Sequence, residues 1–263
     1  MKAIDFAQLF AKIPPLEGTV PADFTIAPLP GFTNDNFRLH NHGWDWVLRV
    51  PRASTNRFID RAAEASNQAQ ACDLGIAPRP LWHDDSGLSL TPTLKPSRCL
   101  TAADFNTTTT AQLIAATLGK LHRSGLRFRG RLQLDRLLER YYAMLPVALQ
   151  NEYRQRMCDA RQLIPLVQQR DRDLVPSHSD PVLENLLLAN DRLWLIDWEY
   201  SAMASPYWDL AIVCNAAGLD CQQSRILLQS YCDGGAQMEE SLLFDYRNLL
   251  QLLSDCWMAA LVD

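Results

Sequence analysis

The sequence predicts an α+β protein with two lobes, a small one rich in β-strands and a larger, mainly helical one. Three observations support this expectation. The chain has 263 residues, of which 48% are apolar and 21% charged, enough for a sizeable core and too apolar for a disordered chain. Strand-like runs fill much of residues 1–92. Beyond residue 98, apolar residues recur mainly at helical spacing.

The small lobe, residues 1–92, is expected to contain two hairpins and one helix. Asn and Gly between the first two strands suit a tight turn. The helix should run from about Asn56 to Leu74 and end at Gly75, a residue that favours the backbone conformation of helix ends. The predicted strands are 37–39, 44–50, 81–83 and 88–91.

Residues 93–98 are expected to form a hinge, because Lys95, Pro96 and Ser97 are typical of a linker. The larger lobe, residues 99–263, follows with leucines at helical spacing and one short hairpin around Asn190-Asp191. Its predicted helices are 113–121, 134–145, 152–167 and most of 208–258, and its predicted strands are 186–188 and 193–196.

Charge and cysteine usage exclude several classes of protein. The formal net charge is −5, which argues against a protein that mainly coats nucleic acid. Seven cysteines occur without a C-x-x-C pair, which favours free thiols in a reducing compartment. No stretch approaches the ~20 apolar residues of a membrane span, and the first residues lack a secretory signal pattern. We therefore expect a cytoplasmic protein.

A polar segment, His178–Asn185, stands out in the larger lobe. It reads His-Ser-Asp-Pro-Val-Leu-Glu-Asn, and Asp197 follows twelve residues later at the end of a predicted strand. In phosphoryl transfer one carboxylate orients or deprotonates the attacking hydroxyl, while an Asn carbonyl and a second carboxylate hold magnesium. The spacing of His178, Asp180 and Asn185 matches the catalytic loop of protein kinases. The alternative is that these side chains only cap turns and a helix.

The small lobe carries a matching set of side chains. Arg49 closes a predicted strand, and Glu64 lies fifteen residues further on, within the predicted helix. An arginine in this place can bind phosphate groups, and a helix glutamate can pair with it; an ordinary surface ion pair is the alternative. A loop that contains Gly31, Thr33 and Asn34 precedes the first strand and could cover the phosphates, although it has one glycine where kinases have three.

Together these motifs resemble the choline/ethanolamine kinase and aminoglycoside phosphotransferase superfamily, which is similar to protein kinases in fold. Four segments look like its bacterial choline kinase and thiamine kinase branch, and the matching pieces run from about residue 28 to 212. The resemblance implies a protein-kinase-like fold in which the small lobe binds the nucleotide and the larger lobe holds the catalytic and acceptor-binding groups. The four segments are 47–51 (VLRVP), 118–125 (LGKLHRSG), 195–201 (LIDWEYS) and 206–211 (PYWDLA).

Carried over position by position, the resemblance implies ATP and Mg²⁺ as cofactors and assigns the polar residues. Asp180 would be the catalytic base, and Asn185 and Asp197 would bind magnesium. Arg49 would hold the nucleotide phosphates, with Glu64 orienting it. The residues that would support the catalytic loop are His178 and Asp209.

The residues around and beyond Asp197 favour a small cationic alcohol as acceptor, with choline, ethanolamine and thiamine as candidates. Aromatic faces together with a carboxylate attract such a cation, although the same rings could simply fill the core. A peptide acceptor is disfavoured, since no long activation segment ending in Ala-Pro-Glu follows Asp197. The candidate acceptor-binding residues are Trp198, Glu199, Tyr200, Trp208 and Trp257.

Two alternatives to this function remain. The first is an aminoglycoside or sugar phosphotransferase of the same superfamily, for which the acidic pair Glu239-Glu240 gives thin support. The second is a kinase-like scaffold that binds a nucleotide or a partner without chemistry. The joint presence of Asp180, Asn185 and Asp197 argues against the second alternative.

Overall fold

A computed structural model describes residues 4–31, 33–56, 59–171, 173–235 and 237–261. They form an antiparallel sheet followed by a larger, mostly helical part, so the predicted α+β class is confirmed. Two predicted features extend beyond the described residues. The predicted phosphate-covering loop includes Phe32, and the predicted helix includes Arg57 and Phe58, all three of which lie outside them.

The small lobe is built on a five-stranded antiparallel sheet with the order β1-β2-β3-β5-β4. Neighbouring side chains of a strand point to opposite faces. Leu48 of β3 is fully buried in the core of the small lobe, and the next residue, Arg49, therefore points away from that core. The strands are β1 (Thr25–Leu29), β2 (Asn34–His40), β3 (Asp45–Pro51), β4 (Trp82–His83) and β5 (Ser89–Pro92).

An N-terminal segment that the sequence analysis did not identify completes the small core. Helix α1 (Phe6–Phe10) begins at Asp5, whose carboxylate accepts a hydrogen bond from a backbone N–H of the first turn. Phe10 then packs with Leu39 and Leu48 in the core of the small lobe. Strand β1 contains Pro28, which a sheet accepts there because β1 is an edge strand.

Two helices follow β3, the short α2 (Ala53–Asn56) and α3 (Arg61–Asp73). Asp60 caps α3 by accepting a hydrogen bond from the backbone N–H of Ala63 at 3.0 Å. The far end of α3 joins the larger core, where Ala71 is fully buried. The position of α3 is therefore tied to the larger lobe as well as to the sheet.

The last two residues of the predicted hinge, Ser97 and Arg98, belong to a strand that pairs within the larger lobe. Strand β6 (Ser97–Cys99) pairs antiparallel with β8 (Leu186–Ala189), which in turn pairs with β9 (Arg192–Leu195). A second small sheet joins β7 (Val175–Ser177) and β10 (Ala202–Ala204). These short strands fix the loops that follow β7 and β9.

Six helices enclose the core of the larger lobe. The fourth of them, α7, is buried along most of its length, as expected for a helix that is apolar on all sides. All seven cysteines lie in the described part of the chain, and none of them forms a disulfide there. Within the described ranges no helix combines the length and apolarity that a membrane crossing requires. The helices are α4 (Thr108–His122), α5 (Leu134–Met144), α6 (Val147–Arg170), α7 (Pro206–Ala216), α8 (Cys221–Cys232) and α9 (Glu240–Leu261).

We predict that Leu118→Ala lowers the free energy of unfolding by ~2–5 kcal/mol, because Leu118 is fully buried in the larger core and its truncation leaves a cavity. Leu166→Ala is the matched control. Leu166 is 56% exposed on α6, and its truncation should change stability by less than ~0.5 kcal/mol. Urea unfolding followed by tryptophan fluorescence measures both; equal losses in the two variants would contradict the packing described above.

Candidate active site

The loop after β7 begins with a strained turn that Asp209 holds in place. Ser179 has a φ of 66°, in the left-handed region that non-glycine residues seldom adopt. The backbone N–H groups of His178 and Ser179 donate to the two carboxylate oxygens of Asp209 at 2.9 and 2.8 Å. Because Asp209 is itself fully buried on α7, it fixes the direction in which Asp180 leaves the turn.

Two further side chains support Asp209 from behind. Nε2 of His122, in the last turn of α4, lies 3.0 Å from Oδ2 of Asp209. The other ring nitrogen, Nδ1, lies 2.8 Å from the hydroxyl of Tyr231 on α8. A carboxylate only accepts hydrogen bonds, so Nε2 carries a proton and donates a hydrogen bond to Asp209. All three side chains are buried, and the chain of hydrogen bonds links α4, α7 and α8 to the loop.

The imidazole of His178 joins the same loop to the segment after β9. Its Nε2 donates to the backbone oxygen of Ile196 at 2.9 Å, and its ring packs edge-on against Trp198 with 4.6 Å between centroids. Burial lowers the pKa of His178, which favours the neutral ring. His178 therefore positions the residue just before Asp197 and has the geometry of a support.

Asp180 and Asn185 lie within hydrogen-bond distance of each other. Nδ2 of Asn185 donates to Oδ2 of Asp180 at 3.0 Å and to its backbone oxygen at 2.9 Å. These bonds orient the Asp180 carboxylate. Among the described residues, no protein donor reaches Oδ1 of Asn185, so this carbonyl oxygen is available to a ligand.

Asp197 follows β9 in a left-handed backbone conformation, with a φ of 64°. Burial, together with the negative charge of Glu199, raises its pKa to about 7. Burial also raises the pKa of Asp180 well above its usual value, and the charges of Asp197 and Glu199 add to the effect. Three carboxyl groups thus lie close together in a part of the protein that is shielded from water. A bound cation would stabilise their charged forms.

Arg49 lies opposite Asp197, on β3 of the small lobe. Its Nη1 is 2.5 Å from Oε1 of Glu64 and 3.4 Å from Oδ1 of Asp197. Its Nε and Nη2 donate to the backbone oxygen of Gly87, in the β4–β5 turn, at 3.3 and 3.2 Å. Glu64 and Gly87 thus hold the guanidinium from two sides, and it faces Asp197.

A second buried arginine, Arg61, was not identified from the sequence. Its Nη1 lies 2.6 Å from Oε2 of Glu64 and 3.4 Å from Oε2 of Glu199, and its side chain is 8% exposed. The available signal was its position three residues before Glu64, since such residues meet on a helix. Glu64 is therefore shared between two arginines.

The predicted phosphate-covering loop is held by this same network. Nδ2 of Asn34 donates to Oε2 of Glu199 at 3.0 Å and to Oγ1 of Thr33 at 3.1 Å. The Asn34 amide is thus bound to protein groups, and the structure does not direct it toward a ligand. A side chain at Gly31 would come within 2.5 Å of the backbone oxygen of Asn34, so the tight approach there requires glycine.

The donor set suits a magnesium ion that is shared with a ligand. Within the described ranges, no three Asp, Glu, His or Cys side chains lie close enough to enclose a metal ion by themselves. Mg²⁺ is commonly bound by one or two carboxylates together with substrate phosphates and water. The Asp197 carboxylate and Oδ1 of Asn185 are oxygen donors of this kind.

Two of the predicted acceptor-binding residues lie in the core and cannot contact an acceptor. Trp198 is 0% exposed, with its Nε1 donating to the backbone oxygen of Leu195. Trp208 is 3% exposed, with its Nε1 donating to the backbone oxygen of Ser179. Their prediction as acceptor contacts is wrong, because packing under the loop takes up both rings. Glu199 is also buried and faces the arginine network.

The other two predicted aromatic residues, Tyr200 and Trp257, remain partly exposed. A tyrosine that the sequence analysis did not identify, Tyr141 on α5, lies 5.2 Å from Trp257 between ring centroids. Burial raises the pKa values of Tyr141 and Tyr200, and both also respond to the negative charge of Asp180. Tyr141 and Tyr200 are therefore close enough to Asp180 to feel its charge, and Trp257 contacts Tyr141; we call these three rings the aromatic cluster.

The chain is similar to solved small-molecule kinases over most of its length. The crystal structure of choline kinase LicA from Streptococcus pneumoniae has a TM-score of 0.82 at 22% identity, covering 90% of this chain and 84% of that one. A choline/ethanolamine kinase family protein from Mesorhizobium loti has a TM-score of 0.78 at 28% identity, covering 95% and 84%. These likenesses confirm the predicted kinase-like two-lobe fold.

Among curated relatives, protein LicA from Haemophilus influenzae is 32% identical over 216 residues. The match covers 79% of this chain and 62% of that protein, so the chain spans less than two thirds of this relative's length. The model of the phosphotransferase enzyme family matches residues 25–241, which contain every predicted site residue except Trp257. The chain belongs to the phosphotransferase enzyme family.

Proposed function

We propose that this chain is a kinase that transfers the γ-phosphoryl group of ATP to the hydroxyl of a small cationic alcohol, with Mg²⁺ as the bound ion. Choline, ethanolamine and thiamine are the candidate acceptors. The observation that carries the proposal is the convergence of Asp180, Asn185 and Asp197 opposite Arg49. The family match and the choline kinases among the similar structures support it.

The nucleotide phosphates would lie between the two lobes. Arg49, fixed by Glu64 and Gly87, presents a permanent positive charge that can attract phosphate oxygens. Bound magnesium would supply positive charge against the phosphates, held by Asp197 and the carbonyl oxygen of Asn185. Such a cation would also stabilise the ionised form of Asp197, whose pKa is raised to about 7 in its absence.

The acceptor hydroxyl would lie at Asp180. Because burial raises the pKa of this carboxyl group, its ionised form is a stronger base than an exposed aspartate. Asn185 holds one carboxylate oxygen at 3.0 Å, which leaves the other for the hydroxyl. The aromatic cluster beside it gives faces on which a cationic head can stack.

The structure removes the sequence argument for an aminoglycoside acceptor, which was the acidic pair Glu239-Glu240. Glu239 pairs with Arg170 at 2.6 Å, and Glu240 pairs with Arg225 at 2.6 Å. The acidic pair is therefore neutralised locally and does not offer an open surface to a polycation. We favour a small acceptor with a single cationic group.

Asp180→Asn should lower kcat by ~10²–10⁴, the usual contribution of a positioned acid or base, and leave the affinity for ATP nearly unchanged. Steady-state ATP consumption with choline, ethanolamine and thiamine in turn measures it. Asp191→Asn is the control. Asp191 is exposed in the β8–β9 turn, and asparagine tolerates its positive φ. A near-normal kcat in Asp180→Asn would remove this residue from the mechanism.

Asp197→Ala should abolish the part of nucleotide affinity that depends on magnesium, since this carboxylate would be the principal protein charge on the ion. Calorimetric titration with ATP, with and without Mg²⁺, tests this. Asn185→Ala should lose less, because a neutral carbonyl is a weaker ligand for a hard cation. The same magnesium dependence in Asp197→Ala and in the unaltered protein would contradict the assignment.

The positive charge of the acceptor should contribute at least tenfold to kcat/KM, equivalent to ~1.4 kcal/mol. The measurement compares choline with dimethylbutanol, in which carbon replaces the cationic nitrogen. Trp257→Leu should reduce the ratio of kcat/KM for choline to kcat/KM for dimethylbutanol. Trp44→Leu changes an exposed ring on the small lobe and should preserve that ratio. Equal turnover of both alcohols would refute the cationic acceptor and leave the kinase assignment intact.

A further inference from the structure

The side-chain amide of Asn67, on α3, lies where three chain segments meet. Asn67 is 0% exposed. Its Oδ1 accepts from the backbone N–H of Arg129 at 2.8 Å, and its Nδ2 lies 3.1 Å from the backbone oxygen of Arg129 and 3.0 Å from that of Ser201. Both ends of the amide are thus bound to the larger lobe.

Asn67 also lies next to the ion pairs of the site. It follows Glu64 by three residues, which places the two side chains on one face of α3, ~4.5 Å apart along the helix axis. Glu64 holds Arg49 at 2.5 Å and Arg61 at 2.6 Å. A displacement of α3 relative to the larger lobe would therefore move the partner of both arginines.

Apolar packing fixes α3 mainly at its far end, where Ala71 and Cys72 join the larger core. Its buried residues are two alanines and two polar residues, namely Ala63, Ala71, Glu64 and Asn67. Alanine buries little apolar area, so its contribution to helix packing is small. The polar contacts of this face must then determine where the helix lies.

We propose that Asn67 is a positioning residue that fixes α3 to the larger lobe and, through Glu64, sets Arg49 against the nucleotide phosphates. This proposal rests on the proposed kinase function for its kinetic readout. The hydrogen bonds of Asn67 do not involve Asp180, the proposed base, or the proposed magnesium ligands Asn185 and Asp197. The proposed effect passes through Glu64, its neighbour on the same face of α3.

A double-mutant cycle tests that path. Asn67→Ala should lower kcat/KM for Mg-ATP by about tenfold and change the acceptor KM by less than about twofold. In a Glu64→Gln background the same substitution should cost less than about threefold, because the link from α3 to Arg49 is already weakened. Equal losses in both backgrounds, or Asn67→Ala within about twofold of the unaltered protein, would overturn the proposal.

Asn215→Ala is the matched control. The Asn215 amide joins α7 to α9 through two bonds with Arg247 in the same way, away from Glu64. Its loss should lower stability without any dependence on Glu64.

Hydrogen exchange separates failure of this inference from failure of the proposed function. If the unaltered protein consumes no ATP with any acceptor, the proposed function fails, and exchange alone then decides about Asn67. Backbone amides of residues 64–72 should exchange faster in Asn67→Ala than in Asn215→Ala, while α7 stays protected in Asn67→Ala. Unchanged exchange over residues 64–72 would overturn the proposal.

Discussion

At the centre of the larger lobe, the carboxylate of Asp209 accepts hydrogen bonds from two consecutive backbone N–H groups of the loop after β7 and from His122. A carboxylate with no exposure carries a large desolvation cost, which only such hydrogen bonds offset. These bonds in turn hold Ser179 in a left-handed conformation that it would otherwise seldom adopt. The direction of Asp180, and with it the proposed chemistry, follows from this buried group.

A ligand that supplies positive charge would stabilise this site. Asp180, Asp197 and Glu199 lie close together, and burial, with the repulsion between these carboxylates added to it, raises the pKa values of the first two. Arg49 and Arg61 offset only part of it from the small-lobe side. Shifted pKa values and closely spaced like charges are typical of functional sites.

The site combines residues of the small-lobe sheet with residues of α3, and different contacts fix the positions of these two elements. The sheet places Arg49 through the strand alternation around Leu48, whereas α3 places Glu64 through contacts that include the larger lobe. The ion pair between them therefore joins the sheet to a helix that lies at the boundary with the larger lobe. The network of Asn34, Arg61 and Glu199 spans the same boundary.

Periodicity and motif spacing are local properties, so they were enough to predict the α+β class, most strands and helices of the described residues, and the position of the polar loop. Residues of the same type, however, differ in burial. Trp198 and Trp208 are buried under the loop, while Trp257 stays partly exposed beside Tyr141. Nothing in their local sequence distinguishes these rings. Only tertiary packing decides which aromatic faces remain open, because burial depends on segments far apart in the chain.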